Sequence, residues 1–388
     1  MITDSETNLV YFSSLIETNK HYKAFWNRME EILNYDKIYF NSIENTKDIW
    51  CRDYMPIQIS ENEFVQFSYY PDYCLHPKYH SLITHPTDYL INEKFNITNS
   101  ELIIDGGNII KSGYVVIITD KVLTENRKIY GYSNEKIISK LKSTLKTDNI
   151  FIIPKLPGDI FGHADGMVRF LNDDTLLVAD YSDQSYSWQK KMDLALKKTG
   201  LKLIPFLAVP NIEKNKDGVP SAKGIYINFA QIGNVILFPQ FDLPENDREA
   251  LLQMIDLYPD CKIIPVNCNE IAIEGGVLNC ITWNIKIPDP IKYKIPPYDF
   301  PVYDDLEQYI YDRLILYLST HDYEFILFCF KAAWDENRGD NISAGDFQNI
   351  AYQLNHTIHD TNPIPQYFID HTINLIIEYL ESKEVIVR

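Results

Sequence analysis

Five short polar motifs recur at nearly even intervals along the first three-quarters of the chain, and their spacing limits the possible folds more than any other feature. They are Trp50-Cys51-Arg52-Asp53, Asp105-Gly106-Gly107-Asn108, Gly162-His163-Ala164-Asp165-Gly166, Tyr226-Ile227-Asn228 and Gly275-Gly276-Val277-Leu278-Asn279-Cys280. From Asp53 through Asn108, Asp165 and Asn228 to Cys280 the gaps are 55, 57, 63 and 52 residues. A fixed period of that size marks a repeat architecture, in which equivalent loops recur around one axis. Each unit is too small to fold by itself, so the five are expected to share a core. Converging loops would bring two carboxylates, an imidazole, two amides and a thiol together. Such a set suits attack on a cationic, planar carbon.

The segments between the motifs support an α/β reading. Strand-like runs rich in Val, Ile, Phe and Tyr lie at Gly113–Leu123, Asn149–Pro154, Thr175–Tyr181, Asn234–Phe241 and Cys261–Val266. Amphipathic helical stretches alternate with them: Ser133–Leu145, which opens on a serine cap, then Tyr186–Lys198 and Glu245–Leu257. Residues 1–50 fit the repeat less clearly. Ile287–Val302 carries five of the 20 prolines and reads as an extended linker. Beyond it, Leu306–Leu318, Tyr323–Trp334, Gly345–Leu354 and Gln366–Leu380 read as helices. The expected organisation is a catalytic α/β domain over 1–287, a Pro-rich linker over 288–304 and an acidic helical domain over 305–388.

Charge narrows the partners. The net charge of −18 argues against nucleic acid and against an anionic membrane surface; it suits a cationic ligand, although a surface charged for solubility is the more common explanation of such a balance. Residues 301–388 hold 15 Asp or Glu against 5 Lys or Arg. Met1–Ser14 lacks the basic start and apolar run of an export signal, and no stretch approaches the roughly 18 apolar residues of a membrane span. Cys51, Cys74, Cys261, Cys268, Cys280 and Cys329 are dispersed without metal-type spacing. A cytoplasmic protein with reduced thiols is the expectation. The sequence leaves a homo-oligomer open.

The motifs WxRD, DGGN, GHxDG and GGxxxC, the last followed by Ile281-Thr282, resemble those of the agmatine deiminase and bacterial-type peptidylarginine deiminase family. That family belongs to the guanidino-group-modifying enzymes, and the resemblance covers roughly residues 48–285. It implies a five-bladed α/β propeller of the pentein type, with pseudo-fivefold ββαβ repeats. It also implies conversion of a guanidino group to a ureido group plus ammonia, through a covalent thiouronium on cysteine, with no metal or organic cofactor. A guanidinium is delocalised, strongly basic and resistant to water. Two carboxylates can orient it through charge-assisted hydrogen bonds, and Asp53 and Asp165 are the candidates. Cys280 is the candidate nucleophile, and His163 the acid and base for the leaving ammonia and the attacking water. Trp50, Gly107, Asn108, Asn228 and Gly276 are the candidate substrate-binding residues.

Each residue also has a structural reading. Asp53 beside Arg52 can form an ordinary ion pair, and Gly106-Gly107-Asn108 can serve as a turn with positive φ. Cys280 can be a buried apolar cysteine. Trp50 can belong to the core or stack on a planar cation. The chain also departs from the resembled pattern, with Met55 before the first motif's proline, Glu274 at the start of the shortened glycine run, and Asn279 where many members have histidine. The segment from Asp335 to Asp346 has oxygen ligands at EF-hand-like positions, among them Asp335, Asn337 and Asp346, although glycine falls at loop position 5 instead of 6. Agmatine is the first candidate substrate. Protein arginine deimination, amidino transfer and a non-catalytic propeller that binds a partner are the alternatives.

Overall fold

The computed structural model describes residues 1–74, 83–85 and 95–288, apart from positions 210, 212 and 217. The linker beyond Pro288, the helical segment 305–388 and the set Asp335, Asn337 and Asp346 lie outside the described residues. The strands in chain order are β1 (Leu9–Ser13), β2 (Phe40–Ile43), β3 (Ile57–Ser60), β4 (Glu63–Ser68) and β5 (Asn96–Ile103). Then come β6 (Ile110–Lys111), β7 (Val115–Thr119), β8 (Asn149–Ile153), β9 (Val168–Asn172) and β10 (Thr175–Ala179). The last are β11 (Lys202–Phe206), β12 (Ala230–Ile232), β13 (Val235–Gln240), β14 (Lys262–Asn267) and β15 (Trp283–Ile285).

These strands form five three-stranded sheets, and one pairing rule builds them all. The middle strand lies antiparallel to one neighbour and parallel to the strand that follows it in sequence. A parallel pair needs a crossover connection. Helices Lys23–Tyr35, Tyr186–Lys197 and Pro244–Leu257 make three of them, and Lys121–Tyr130 with Asn134–Leu145 makes a fourth. The middle strands β1, β7 and β10 are buried along their whole length, as expected of strands covered on both faces. Helix Asn134–Leu145 shows how the sequence dictates the packing. The Ser133 side chain caps it by accepting from the Lys136 N–H at 3.3 Å, and Ile137, Leu141 and Leu145 form one fully buried stripe. That stripe joins Val116, Ile118 and Val122 in a common core.

The first sheet explains why residues 1–50 fit the repeat poorly. Its antiparallel strand comes from the far end of the described chain: β1 pairs with β15, Leu9 opposite Ile285 and Tyr11 opposite Trp283. The unit is permuted, so no local pattern displays it. A second difference concerns Gly113–Leu123, read as one strand. The strand ends at Thr119, and Lys121 begins a helix whose Val122 is wholly buried. A short apolar run does not by itself distinguish a strand from the first turn of a buried helix. No helix among the described residues is long and apolar enough to cross a membrane.

Candidate active site

Every motif occupies the same place in its unit, immediately before the strand that starts an antiparallel pair. The helical turn Cys51–Tyr54 precedes β3, the 3-10 turn Gly106–Asn108 precedes β6, and the loop 162–166 precedes β9. Tyr226–Asn228 precedes β12, and Gly275–Cys280 precedes β15. Equal spacing in sequence is thus equal position in the fold.

Backbone hydrogen bonds tie the loops to one another. The Arg52 N–H donates to the Cys280 carbonyl at 3.1 Å, the Asp165 N–H to the Gly107 carbonyl at 3.1 Å, and the Asn279 N–H to the Asn228 carbonyl at 3.1 Å. The Gly107 N–H donates to Asp53 Oδ1 at 3.0 Å. Gly107 is the point on which the side chains close. A methyl group built there would lie 2.8 Å from Asp53 Oδ1, 2.8 Å from His163 Nδ1 and 3.2 Å from Asp165 Oδ2. Cys280 Sγ points toward Asp165 Oδ2 at 3.7 Å and Asn228 Oδ1 at 3.4 Å. Asp53, His163, Asp165, Asn228 and Cys280 therefore meet in one buried place. His163 and Asp165 face the same way because Ala164 between them points into the apolar core.

The glycines serve close approach here, and neither Gly106 nor Gly107 has a positive φ. An added carbon on Gly106 would sit 2.0 Å from the Arg52 carbonyl oxygen. Gly276 lies beneath the Trp50 ring, where an added carbon would be 2.4 Å from Cζ3. The Asn108 amide is already engaged, its Oδ1 accepting from the Thr119 N–H at 2.9 Å. Arg52 turns away from Asp53: its Nε donates to the Asn279 carbonyl at 3.1 Å, and Nη2 donates to Asn284 Oδ1. Tyr226 is a support, its hydroxyl donating to Asp247 Oδ1 at 2.6 Å.

Two groups take part in ways that the sequence does not assign. Asp105 opens the second motif, and its Oδ2 lies 2.9 Å from His163 Nε2 while also taking Tyr73 Oη at 3.2 Å and Lys121 Nζ at 3.4 Å. Asn279, next to the cysteine, donates from Nδ2 to Asp165 Oδ2 at 2.8 Å. The motif gave Asp105 a place in the site, but its bond to His163 exists only in the folded chain.

The electrostatics follow from this packing. Burial works against the His163 charge, but Asp53, Asp105 and Asp165 outweigh it and raise the imidazole to about 10. Burial pushes Asp105 up, yet His163, Lys121 and Tyr73 hold it below the usual carboxylate range. Asp53 is held above that range, first by burial and then by the charges of Asp105 and Asp165, against the pull of His163. Burial, with Asp165 and Asp53, holds the Cys280 thiol well above its ordinary value. The resting site thus pairs an imidazolium with a neutral thiol. In an Asp105→Asn variant His163 loses its 2.9 Å carboxylate partner, so its proton should leave at lower pH. NMR titration of the ring should place its pKa at least about one unit below that of the parent; an unmoved value would refute the pairing.

The chain has clear relatives. The model of the Porphyromonas-type peptidyl-arginine deiminase family matches residues 6–286. An agmatine deiminase of Pseudomonas putida is 26% identical over 219 residues, which are 49% of this chain and 58% of that protein. The match thus spans little more than half the length of the relative. The solved agmatine deiminase of C. jejuni aligns with a TM-score of 0.60 at 20% identity, over 73% of this chain and 94% of the other. That of Enterococcus faecalis gives 0.57 at 19%, over 73% and 94%. At such identities the structural likeness is one of fold.

Proposed function

This chain belongs to the Porphyromonas-type peptidyl-arginine deiminase family, and on that premise we propose that it hydrolyses the guanidino group of agmatine to a ureido group, yielding N-carbamoylputrescine and ammonia. The observation that carries the reading is the convergence of Asp53, His163, Asp165 and Cys280 around Gly107. Asp53 and Asp165 bind the guanidinium nitrogens and present its carbon to sulfur. The arriving cation offsets the two carboxylates that oppose ionisation of the thiol, so the thiolate forms with substrate in place and its proton passes to solvent. Sulfur attacks the carbon, and the His163 imidazolium protonates the departing nitrogen, which leaves as ammonia. The imidazole, now neutral, takes a proton from the attacking water. Collapse of the second adduct breaks the C–S bond and gives up its hydroxyl proton to solvent, releasing the ureido product and the thiolate. Asp53 and Asp105 keep His163 charged for the first of these transfers, and Asp105, bonded to Nε2, orients the ring.

The remaining readings rest on the same frame. Five sheets of one pairing rule, with β15 completing the sheet of β1, support a five-bladed propeller of the pentein type around a single axis. The end of β15 at Ile285 supports a boundary of the catalytic domain at about residue 287. Trp50, Gly107, Asn108, Asn228 and Gly276 wall the substrate pocket, Asn108 through the backbone it holds. Acidic surroundings favour a substrate with a second positive charge: Asp53, Asp105 and Asp165 line the site with the cation His163 among them, and the neighbouring Lys121 lies within 3.5 Å of three further or shared carboxylates, Asp72, Asp105 and Glu125. Agmatine carries that charge, whereas arginine adds a carboxylate. The test is ammonia release by purified protein from agmatine, arginine and an arginine-containing peptide in parallel. Release from agmatine at least about tenfold faster than from arginine is expected. Silence on all three from folded protein, or turnover of the peptide alone, would overturn the assignment.

A further inference from the structure

Asn279 is connected in two directions, and the second leads away from the reacting groups. Its Nδ2 donates to Asp165 Oδ2, the oxygen that faces the Cys280 sulfur. Its Oδ1 accepts from Arg169 Nη1 at 3.0 Å. Arg169 is buried and also donates to the Phe229 carbonyl at 2.8 Å and to Asp4 Oδ2 at 2.6 Å, with its guanidinium 4.4 Å from the Phe229 ring centre. Asp4 in turn accepts from Asn284 Nδ2 at 3.2 Å. Arg169, Asp4, Arg52 and Lys111 line a cavity of about 450 Å³ that reaches Asn279 but is not lined by Cys280, His163, Asp53 or Asp165. Asn279 is where that cavity and the candidate active site share a wall.

The chemistry of this chain has a fixed direction. A guanidinium donates and never accepts, so Arg169 decides which end of the Asn279 amide faces it. With the carbonyl oxygen turned to Arg169, the amide must present N–H to Asp165. We infer that Asp4, Arg169 and Asn279 form a positioning relay that holds Asp165 Oδ2 and keeps its charge from closing onto the Cys280 thiol. None of the three touches the reacting atoms in the proposed reaction. The inference rests on that reaction for its significance, but the relay is measurable without turnover. Deprived of the Asn279 donor, Asp165 Oδ2 would accept the thiol proton more fully, since an unpaired buried carboxylate takes the nearest donor. The titratable groups bearing on the sulfur are Asp165 and Asp53, with His163 beside Asp53.

The test is the pH dependence of Cys280 alkylation by iodoacetamide, followed on the Cys280 peptide by mass spectrometry in the full-length protein without substrate. In Asn279→Leu the midpoint should rise by about one pH unit, which is about tenfold slower alkylation at a fixed pH below it. Arg169→Met frees the amide to turn and should shift the midpoint the same way. Arg169→Lys keeps a donor for Asn279 Oδ1 and should recover at least half of the shift. Loosened packing alone would speed alkylation at every pH and leave the midpoint in place. That result in folded Asn279→Leu, or equal midpoints for Arg169→Met and Arg169→Lys, would overturn the relay. If Asn279→Leu does not fold, the Arg169 pair decides. Failure of all three candidate substrates in the ammonia assay would leave these midpoints readable, so the two proposals fail separately.

Discussion

A Cys280→Ser protein is expected to fold as the parent does and to lose turnover of agmatine by at least about 10⁴-fold, the scale seen when a nucleophile is removed. The fold is expected to survive because the exchange is nearly isosteric and keeps a donor facing the same acceptors. Cys280 Sγ lies 3.4 Å from Asn228 Oδ1 and 3.7 Å from Asp165 Oδ2, and both oxygens accept an O–H better than an S–H. Thermal stability should change by no more than about 1 kcal/mol. Turnover is expected to vanish because a hydroxyl is far harder to ionise than a thiol, and the site already disfavours an anion here. Burial together with Asp165 and Asp53 raises the thiol. A bound guanidinium compensates enough for sulfur but not for oxygen. Substrate should still bind, since Asp53 and Asp165 are untouched, so isothermal titration of the variant should detect agmatine in the absence of product. Steady-state ammonia release above about 1% of the parent rate would remove Cys280 from the nucleophile's role.

The sequence carried the recurrent part of this molecule well and the tertiary part poorly. The count of five units read from motif spacing agrees with the five sheets, because each motif sits just before the first strand of an antiparallel pair. The motifs point to Asp53, His163, Asp165 and Cys280, and the fold brings these four together. The first sheet escaped because its strands lie about 270 residues apart in sequence, from β1 to β15. Arg52 illustrates the second kind of miss. Beside Asp53 it suggests an ion pair, yet its guanidinium serves the Asn279 carbonyl and Asn284. Neighbours along a helical turn point in different directions, and only tertiary contacts decide the partner of each. The roles of Asp105 and Asn279 were hidden for the same reason. In sequence the glycine pair reads as turn geometry; in the fold its constraint is the crowding of atoms from other loops.

That crowding makes Gly107→Ala the most informative substitution after the nucleophile. It should lower kcat/KM by about 10²-fold, the scale of a displacement of about 1 Å in a reacting group. The new methyl would stand 2.8 Å from both Asp53 Oδ1 and His163 Nδ1, where ordinary contacts begin near 3.4 Å. Retreat of the backbone is blocked, because the Gly107 N–H holds Asp53 at 3.0 Å and its carbonyl holds the Asp165 N–H at 3.1 Å. The side chains must yield instead, and they are the groups assigned to substrate binding and proton transfer. Alanine adopts the local backbone without strain, since φ at 107 is not positive, so the cost in stability should stay near the 1–3 kcal/mol of an overpacked core. Gly106→Ala provides the contrast. Its methyl would meet the Arg52 carbonyl oxygen at 2.0 Å, a clash with backbone that no rotamer relieves, and it should disrupt folding more than it disrupts the chemistry. Activity in Gly107→Ala within about threefold of the parent, in a protein of unchanged stability, would mean that the three side chains do not close on Gly107 and that the site is more open than its hydrogen bonds imply.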